Sequence, residues 1–218
     1  MKGFHFPQAE VRLLSSNPGS ALLVRSTRTL STLSSTIVGG GFGRTRAILN
    51  RHVDKDYDVR NAADDLIAYA RGHGVDDEFV GLMTAVYLDE ARADTCIGAE
   101  LTVATIATVG LGNRTAAGVS ALALPSPGTI NLIILVDGHM TPGAMVNSVI
   151  TATEAKSRVL SDRGIDADDG GPATGTSTDA LVVACTGQGD ARPYAGTATR
   201  LGWCIARSVR RAMMKTLT

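Results

Sequence analysis

An α+β layered domain, with an extensive mixed or antiparallel sheet packed by long helices, is the fold class that the sequence predicts, and three observations predict it. Several segments rich in Val, Ile, Leu and Thr, with Gly, Ser or Pro nearby, read as strands. Two long stretches place apolar residues at helical spacing. The strands cluster before and between the helices instead of alternating strictly with them, which disfavours a doubly wound parallel sheet.

Taken in chain order, strands are expected at Val11–Leu14, Ala21–Arg25 and Leu33–Val38. A short helix follows, with Asn61 as N-cap, Asp64 and Asp65 in its first turn, Leu66, Ile67 and Tyr69 as its apolar side, and Gly72 and Gly74 to stop it. Strands come next at Phe79–Val86, Leu101–Val109 and Ile130–Val136, with a Pro- and Gly-containing loop at Leu124–Gly128. A second helix is capped by Thr141 with Pro142 at its first position. Met145, Val149, Ala152, Val159 and Leu160 give it a core face, and Gly164 ends it. Asp166–Gly171 is a loop, Ala180–Cys185 a strand, and a last helix runs from about Tyr194 to Lys215 with Leu201, Cys204, Ile205, Ser208, Val209 and Ala212 facing inward.

The chain has 218 residues, 44% of them hydrophobic and 19% charged, enough for a sizeable core in a single domain over residues 1–218. Lys plus Arg balance Asp plus Glu at 21 each, so there is no global field to hold a nucleic acid. The longest apolar stretch, Ile130–Val136, is interrupted by Asn131 and falls far short of the ~20 residues that span a bilayer. The first ten residues lack the apolar core of an export leader, so a cytoplasmic location is expected. Cys96, Cys185 and Cys204 are odd in number and widely spaced, which suggests reduced thiols. No His-Glu-x-x-His or comparable cluster occurs, so no metal site is expected.

Four glycine-containing segments could carry chemistry: 39–52, 110–118, 128–137 and 171–179. None is a phosphate-binding Gly-x-x-x-x-Gly-Lys-[Ser/Thr] loop or a dinucleotide fingerprint, which removes support for nucleotide hydrolysis and NAD chemistry. Thr174-Gly175-Thr176-Ser177-Thr178-Asp179 concentrates hydroxyls and an acid at a strand entrance, where they can grip an amide or orient water. The competing reading is a turn that satisfies its own backbone. His52 lies two residues after Asn50, so on an extended segment the two side chains point the same way, as a base and an orienting amide or as structural groups. On the second helix, Asn147, Thr151, Glu154 and Arg158 share a stripe in which Glu154 is either a buried carboxylate or the partner of Arg158 on a solvated face. Cys185-Thr186-Gly187 reads as core rather than as a nucleophile turn.

These segments resemble the adenosylcobinamide amidohydrolase family, the CbiZ type of corrinoid-salvage enzymes. The resemblance is carried by Ser34–Phe42, Leu49–Val53, Val80–Ala85, Ala107–Asn113 and Gly128–Ile133, and most specifically by Ile150–Lys156, Ala173–Ala180 and Tyr194–Trp203. It implies hydrolysis of the amide joining the corrin ring's propionyl side chain to the aminopropanol arm of adenosylcobinamide, giving adenosylcobyric acid for coenzyme B12 salvage or remodelling. The corrinoid is then the substrate, a small-molecule partner, and no cofactor is implied. Amide hydrolysis needs a base, an acid for the departing amine and donors for an oxyanion. His52, Glu154 and Asp179 are the acid and base candidates, and Thr176, Ser177 and Thr178 the nucleophile or oxyanion candidates. Asn50, Asn113, Asn131, Thr174, Gly175, Thr197 and Arg200 are candidate substrate contacts. The alternative reading is a non-catalytic corrinoid-binding or carrier protein.

Overall fold

The structure, a computed structural model, describes residues 1–15, 19–98, 100–122 and 128–217. Most of the expected loop 124–128 therefore lies outside the described residues. The strands are β1 (Ala9–Ser15), β2 (Ser20–Ser34), β3 (Gly41–His52), β4 (Phe79–Thr84), β5 (Arg92–Gly98), β6 (Leu101–Val109), β7 (Arg114–Thr115), β8 (Ile130–Asp137), β9 (His139–Met140), β10 (Gly175–Thr176), β11 (Ala180–Cys185) and β12 (Ala191–Arg192). The helices are α1 (Ala62–Gly72), α2 (Pro142–Asp162) and α3 (Arg200–Thr216).

Eight strands form one mixed sheet in the order β4-β3-β2-β11-β8-β6-β5, with β1 paired to the first half of β2. The β3–β4 and β8–β11 pairs are parallel and the others antiparallel. The α+β class expected from sequence is the one observed. The short pairs β7–β10 and β9–β12 lie outside this sheet.

The continuous apolar run of β8 reflects burial on both faces. Leu132, Ile134 and Val136 join Val103, Val183 and the inner sides of α2 and α3 in one cluster. Ile133 and Leu135 point the other way, into a cluster with Leu22, Val24, Ile48, Val80 and Leu82. Residues of β2, β3 and β4 thus meet residues of β8 on the face away from α2 and α3, so the sheet curls over on itself. A third cluster lies beneath α1, where Leu66, Tyr69 and Ala70 cover Ala21, Leu23, Ala47 and Leu49.

Capping fixes the long helices. Thr141 Oγ1 accepts from Ala144 N (3.2 Å) with Pro142 in the first turn, and Thr199 Oγ1 accepts from Gly202 N (3.0 Å). The last helix therefore starts at Arg200 and not near Tyr194. Residues before it are held in a turn in which the Thr199 amide and hydroxyl both donate to Gly196 O. A Cβ on Gly202 would overlap the Ala195 and Gly196 carbonyls, so this close approach requires glycine. Asn61 does occupy the N-cap position of α1 but makes no side-chain cap bond.

Three further elements differ from expectation. Ala21–Arg25 and Leu33 belong to one long strand, irregular between Arg25 and Leu30, and this strand ends at Ser34. Residues 35–38 instead form a link: Ser35 N donates to Leu181 O (3.0 Å), and Val38 bridges Gly81 on β4. Neither β3 nor β5 was expected. Among the described residues, no helix is long and apolar enough to cross a membrane.

Candidate active site

One end of the curled sheet gathers most of the polar candidates. Asn50 on β3 and Asn131 on β8 are separated in the sheet by β2 and β11, yet Asn131 Nδ2 donates to Asn50 Oδ1 (3.0 Å) and to Met83 O (2.8 Å). Asn50 Nδ2 in turn donates to Thr108 Oγ1 on β6 (3.2 Å). All three side chains are buried. Buried amides must be hydrogen-bonded, and these satisfy one another across the fold. The two asparagines are therefore a strut holding the curled sheet closed, with both amide protons of Asn131 already used.

His52 lies two residues beyond Asn50 on β3, half-buried at the rim. Its Nδ1 is 3.0 Å from Val86 O, and Tyr87 stacks on the ring with centroids 4.9 Å apart. A carbonyl can only accept, so Nδ1 carries a proton, and in the neutral ring Nε2 is the nitrogen that presents its lone pair. Val86 also packs against Gly110, where a Cβ would lie 2.8 Å from Val86 Cγ2, and Gly110 N donates to Thr129 O (2.9 Å). The His52 rim is in this way joined to the loop carrying Asn113 and to the start of β8.

From there the belt continues into the hydroxyl-rich segment. Thr129 Oγ1 donates to Thr178 O (2.7 Å), Thr178 Oγ1 donates to Gly128 O (2.8 Å), and Asn113 Nδ2 donates to Ser177 Oγ (2.7 Å). Because Asn113 supplies the proton in that bond, the Ser177 hydroxyl, which is exposed, can direct its own proton outward.

Asp179 is a knot. Its carboxylate accepts from Ile130 N (3.1 Å), Thr176 N (3.2 Å), Thr176 Oγ1 and the Lys156 ammonium of α2. The two ionic side chains are only 18% and 12% exposed. Gly175 fits against this pair, and a Cβ there would overlap both charged groups. Thr174 is also committed: its amide donates to Thr115 O (2.9 Å), its Oγ1 accepts from Ala117 N (2.9 Å), and its carbonyl accepts from Ser157 Oγ (2.9 Å).

Other candidates lie elsewhere. Glu154 is exposed on α2 instead of buried, and Arg158 pairs with Asp162 (2.6 Å) in place of Glu154. The helical stripe is divided: Thr151 is buried with Ala152 and Ala155, whereas Glu154 and Arg158 lie far enough round the helix to face water. Thr197 and Arg200 are exposed at the start of α3. That start follows from β12, which pairs with β9 just beyond the C-terminal end of β8, whereas Asp179 bonds the N-terminal residue of β8. The two binding candidates are thus at the far end of the sheet from Asp179.

Sequence reasoning missed Lys156, Thr108, Thr129 and the Val86 carbonyl. Lys156, Thr108 and Thr129 lie within the segments that carry the family resemblance, but nothing in their local spacing marks them as parts of the belt. Among the described residues, no group of three or more His, Cys, Asp or Glu is arranged to hold a metal ion. Burial pushes the Cys185 thiol up, as expected for a core residue and not for a nucleophile.

Comparison with known proteins adds an independent line. The family model described as CbiZ, adenosylcobinamide amidohydrolase, matches residues 8–218. A Methanosarcina mazei protein named adenosylcobinamide amidohydrolase is 30% identical over 184 residues, 80% of this chain and 84% of that one. A Halobacterium salinarum protein of the same name is 35% identical over 155 residues, 68% of this chain and 62% of that one. A solved structure of a protein from Pyrococcus horikoshii matches 96% of this chain and 83% of its own, with a TM-score of 0.59 and 14% identity, a likeness of fold alone.

Proposed function

The chain belongs to the adenosylcobinamide amidohydrolase family, and we propose that His52 is the general base with which it performs that family's reaction. The reaction is hydrolysis of the amide between the corrin ring's propionyl side chain and the aminopropanol arm of adenosylcobinamide, within corrinoid salvage. The observation that supports His52 is its fixed tautomer: Nδ1 is held on Val86 O, which leaves Nε2 to take a proton from water.

In this reading water oxygen attacks the amide carbonyl carbon while its proton passes to Nε2. The C–N bond then breaks, and the imidazolium returns the proton to the departing amine nitrogen. The corrinoid carboxylate and the free aminopropanol are the products. The Ser177 hydroxyl, oriented by Asn113, is the donor to the tetrahedral oxyanion. Asp179 is an anchor for the hydroxyl segment and not a base, since four donors including Lys156 occupy its two oxygens.

The test is incubation of the purified protein with adenosylcobinamide, without ATP, and mass analysis for adenosylcobyric acid and aminopropanol. Removing a general base costs ~100-fold or more in turnover, so His52→Ala and His52→Gln should lose at least that much while melting close to the parent. Folded His52 variants that turn over within a few-fold of the parent would overturn the assignment and direct attention to the exposed carboxylate of Glu154.

A further inference from the structure

We propose that the cavity between β1, the turn after β4 and the C-terminal end of α3 is where the substrate's corrin macrocycle docks. This rests on the reading of His52 as the base of the hydrolase and adds to it the part of the surface that takes the ring.

A row of cross-strand partners leads from this cavity to the candidate base. Leu13 on β1 is paired with Leu22 on β2, and Leu22 is paired with Asn50 on β3. Directly opposed residues share a face of the sheet, so all three lie on the face that carries His52, two residues beyond Asn50. Leu22 and His52 are then diagonal neighbours, about 7–8 Å apart. The turn after β4 makes the same connection from the other side. Tyr87, whose ring stacks on His52, is followed directly by Leu88, and Leu88 lines the cavity together with Leu13 and Leu22.

Size and lining suit the ring. The cavity holds about 900 Å³, toward the upper end of the roughly 300–1,000 Å³ of small-molecule sites. Its wall is open where the sheet face should be covered: Leu22 is 1% exposed and joins the core cluster of that face, whereas its partner Leu13 is 54% exposed. The mouth is charged, with Asp89, Arg92 and Lys215. Arg92 Nη1 donates to the Asp89 and Ala91 carbonyls (2.7 and 3.1 Å), which leaves Nε and Nη2 to donate outward. An apolar wall edged by such donors matches a flat ring whose faces carry methyl groups and whose periphery carries amides. The neighbouring imidazole selects this occupant, because the scissile amide stands one side chain away from the corrin ring just as His52 stands one side chain away from the cavity wall.

The experiment compares the parent with Leu13→Asp, the milder Leu13→Thr and Arg92→Gln. Val59→Asp serves as a control, changing an exposed apolar side chain in the turn before α1. Steady-state hydrolysis of adenosylcobinamide gives kcat and KM, and equilibrium dialysis with cyanocobinamide, read by absorbance, gives affinity without turnover. Placing a charge against the ring in Leu13→Asp should raise KM and weaken cyanocobinamide binding by about tenfold or more, with kcat at saturation within about threefold of the parent. Leu13→Thr and Arg92→Gln should move both quantities in the same direction by about threefold or more with native melting, and Val59→Asp should move neither. If the parent turns over and the folded cavity variants keep its KM and affinity, the docking assignment falls while the hydrolase reading stands. If the parent binds cyanocobinamide through the cavity but releases no aminopropanol, the hydrolase reading falls instead.

Discussion

Replacing Asp179 by Asn separates an anchor from a catalyst. The native carboxylate accepts two backbone amides, the Thr176 hydroxyl and the Lys156 ammonium, with the ion pair mostly buried. Asn keeps the shape but removes the charge and turns one acceptor into a donor that faces donors. Breaking one partner of a fully buried pair costs about 3–5 kcal/mol, and the residual exposure here lowers that to roughly 2–4 kcal/mol. For a chain of this size each kcal/mol moves Tm by about 2–4 °C, so a fall of roughly 5–15 °C is expected. The compensating double variant Asp179→Asn with Lys156→Met, which removes the stranded cation, should recover part of that loss. Thermal melts followed by circular dichroism measure the stability, and turnover per folded molecule, taken well below the lowered Tm, measures the chemistry. An unchanged Tm together with a hundredfold loss of kcat would refute the anchor reasoning and return Asp179 to the reaction centre.

Two further outcomes follow from the buried groups. Asn131→Leu removes both donors of the strut and leaves Asn50 Oδ1 and Met83 O without their partner. It should cost about 2–4 kcal/mol in urea unfolding, and an unchanged midpoint would show that the curled sheet does not depend on this bond. The Cys204 thiol, pushed up to about 12 by burial and by the adjacent Cys96 sulfur, stays protonated in the fold, so Cys204 and buried Cys185 should resist alkylation at pH 8 and react only on unfolding. Because the folded value is raised above the ordinary 9.0, its stabilisation is complete below about pH 9 and is lost as the pH climbs toward 12. Cys204→Ser should flatten that alkaline decline, and an equally steep decline in the variant would count against the assignment.

Local chemistry in the sequence was enough to locate some elements closely. The bounds of β6 and β11 match the expected strands, and α2 begins at Pro142 behind the expected Thr141 cap. β3 was obscured because Gly41 and Gly43 and three arginines interrupt its alternation, and β5 because Arg92 and Asp94 sit in an acidic stretch. Asp94 is buried there against Lys215 and Arg211, two cations brought from far along the chain. The hydroxyl segment was visible as a concentration of side chains, but its division of labour was not. Whether Asp179 is a base or an anchor depends on Lys156, and whether Asn50 can meet a substrate depends on Asn131. Both partners are brought by tertiary folding, and neither pairing has a local signature.

The position of β11 in the sheet bears on how the chain is made. It lies between β2 and β8, so the centre of the large sheet is filled by the strand of that sheet that leaves the ribosome last. Until residue 185 has emerged, the second half of β2 and the far edge of β8 both expose unpaired amides and carbonyls, which are templates for association with other chains. Joining Ser34 to Val182 also closes a loop of about two thirds of the chain, which delays the final step of folding relative to the hairpins on either side. Synthesis stalled before β11 would therefore leave two half-sheets with matching open edges, and their mutual capture between nascent chains is the aggregation route that this topology invites.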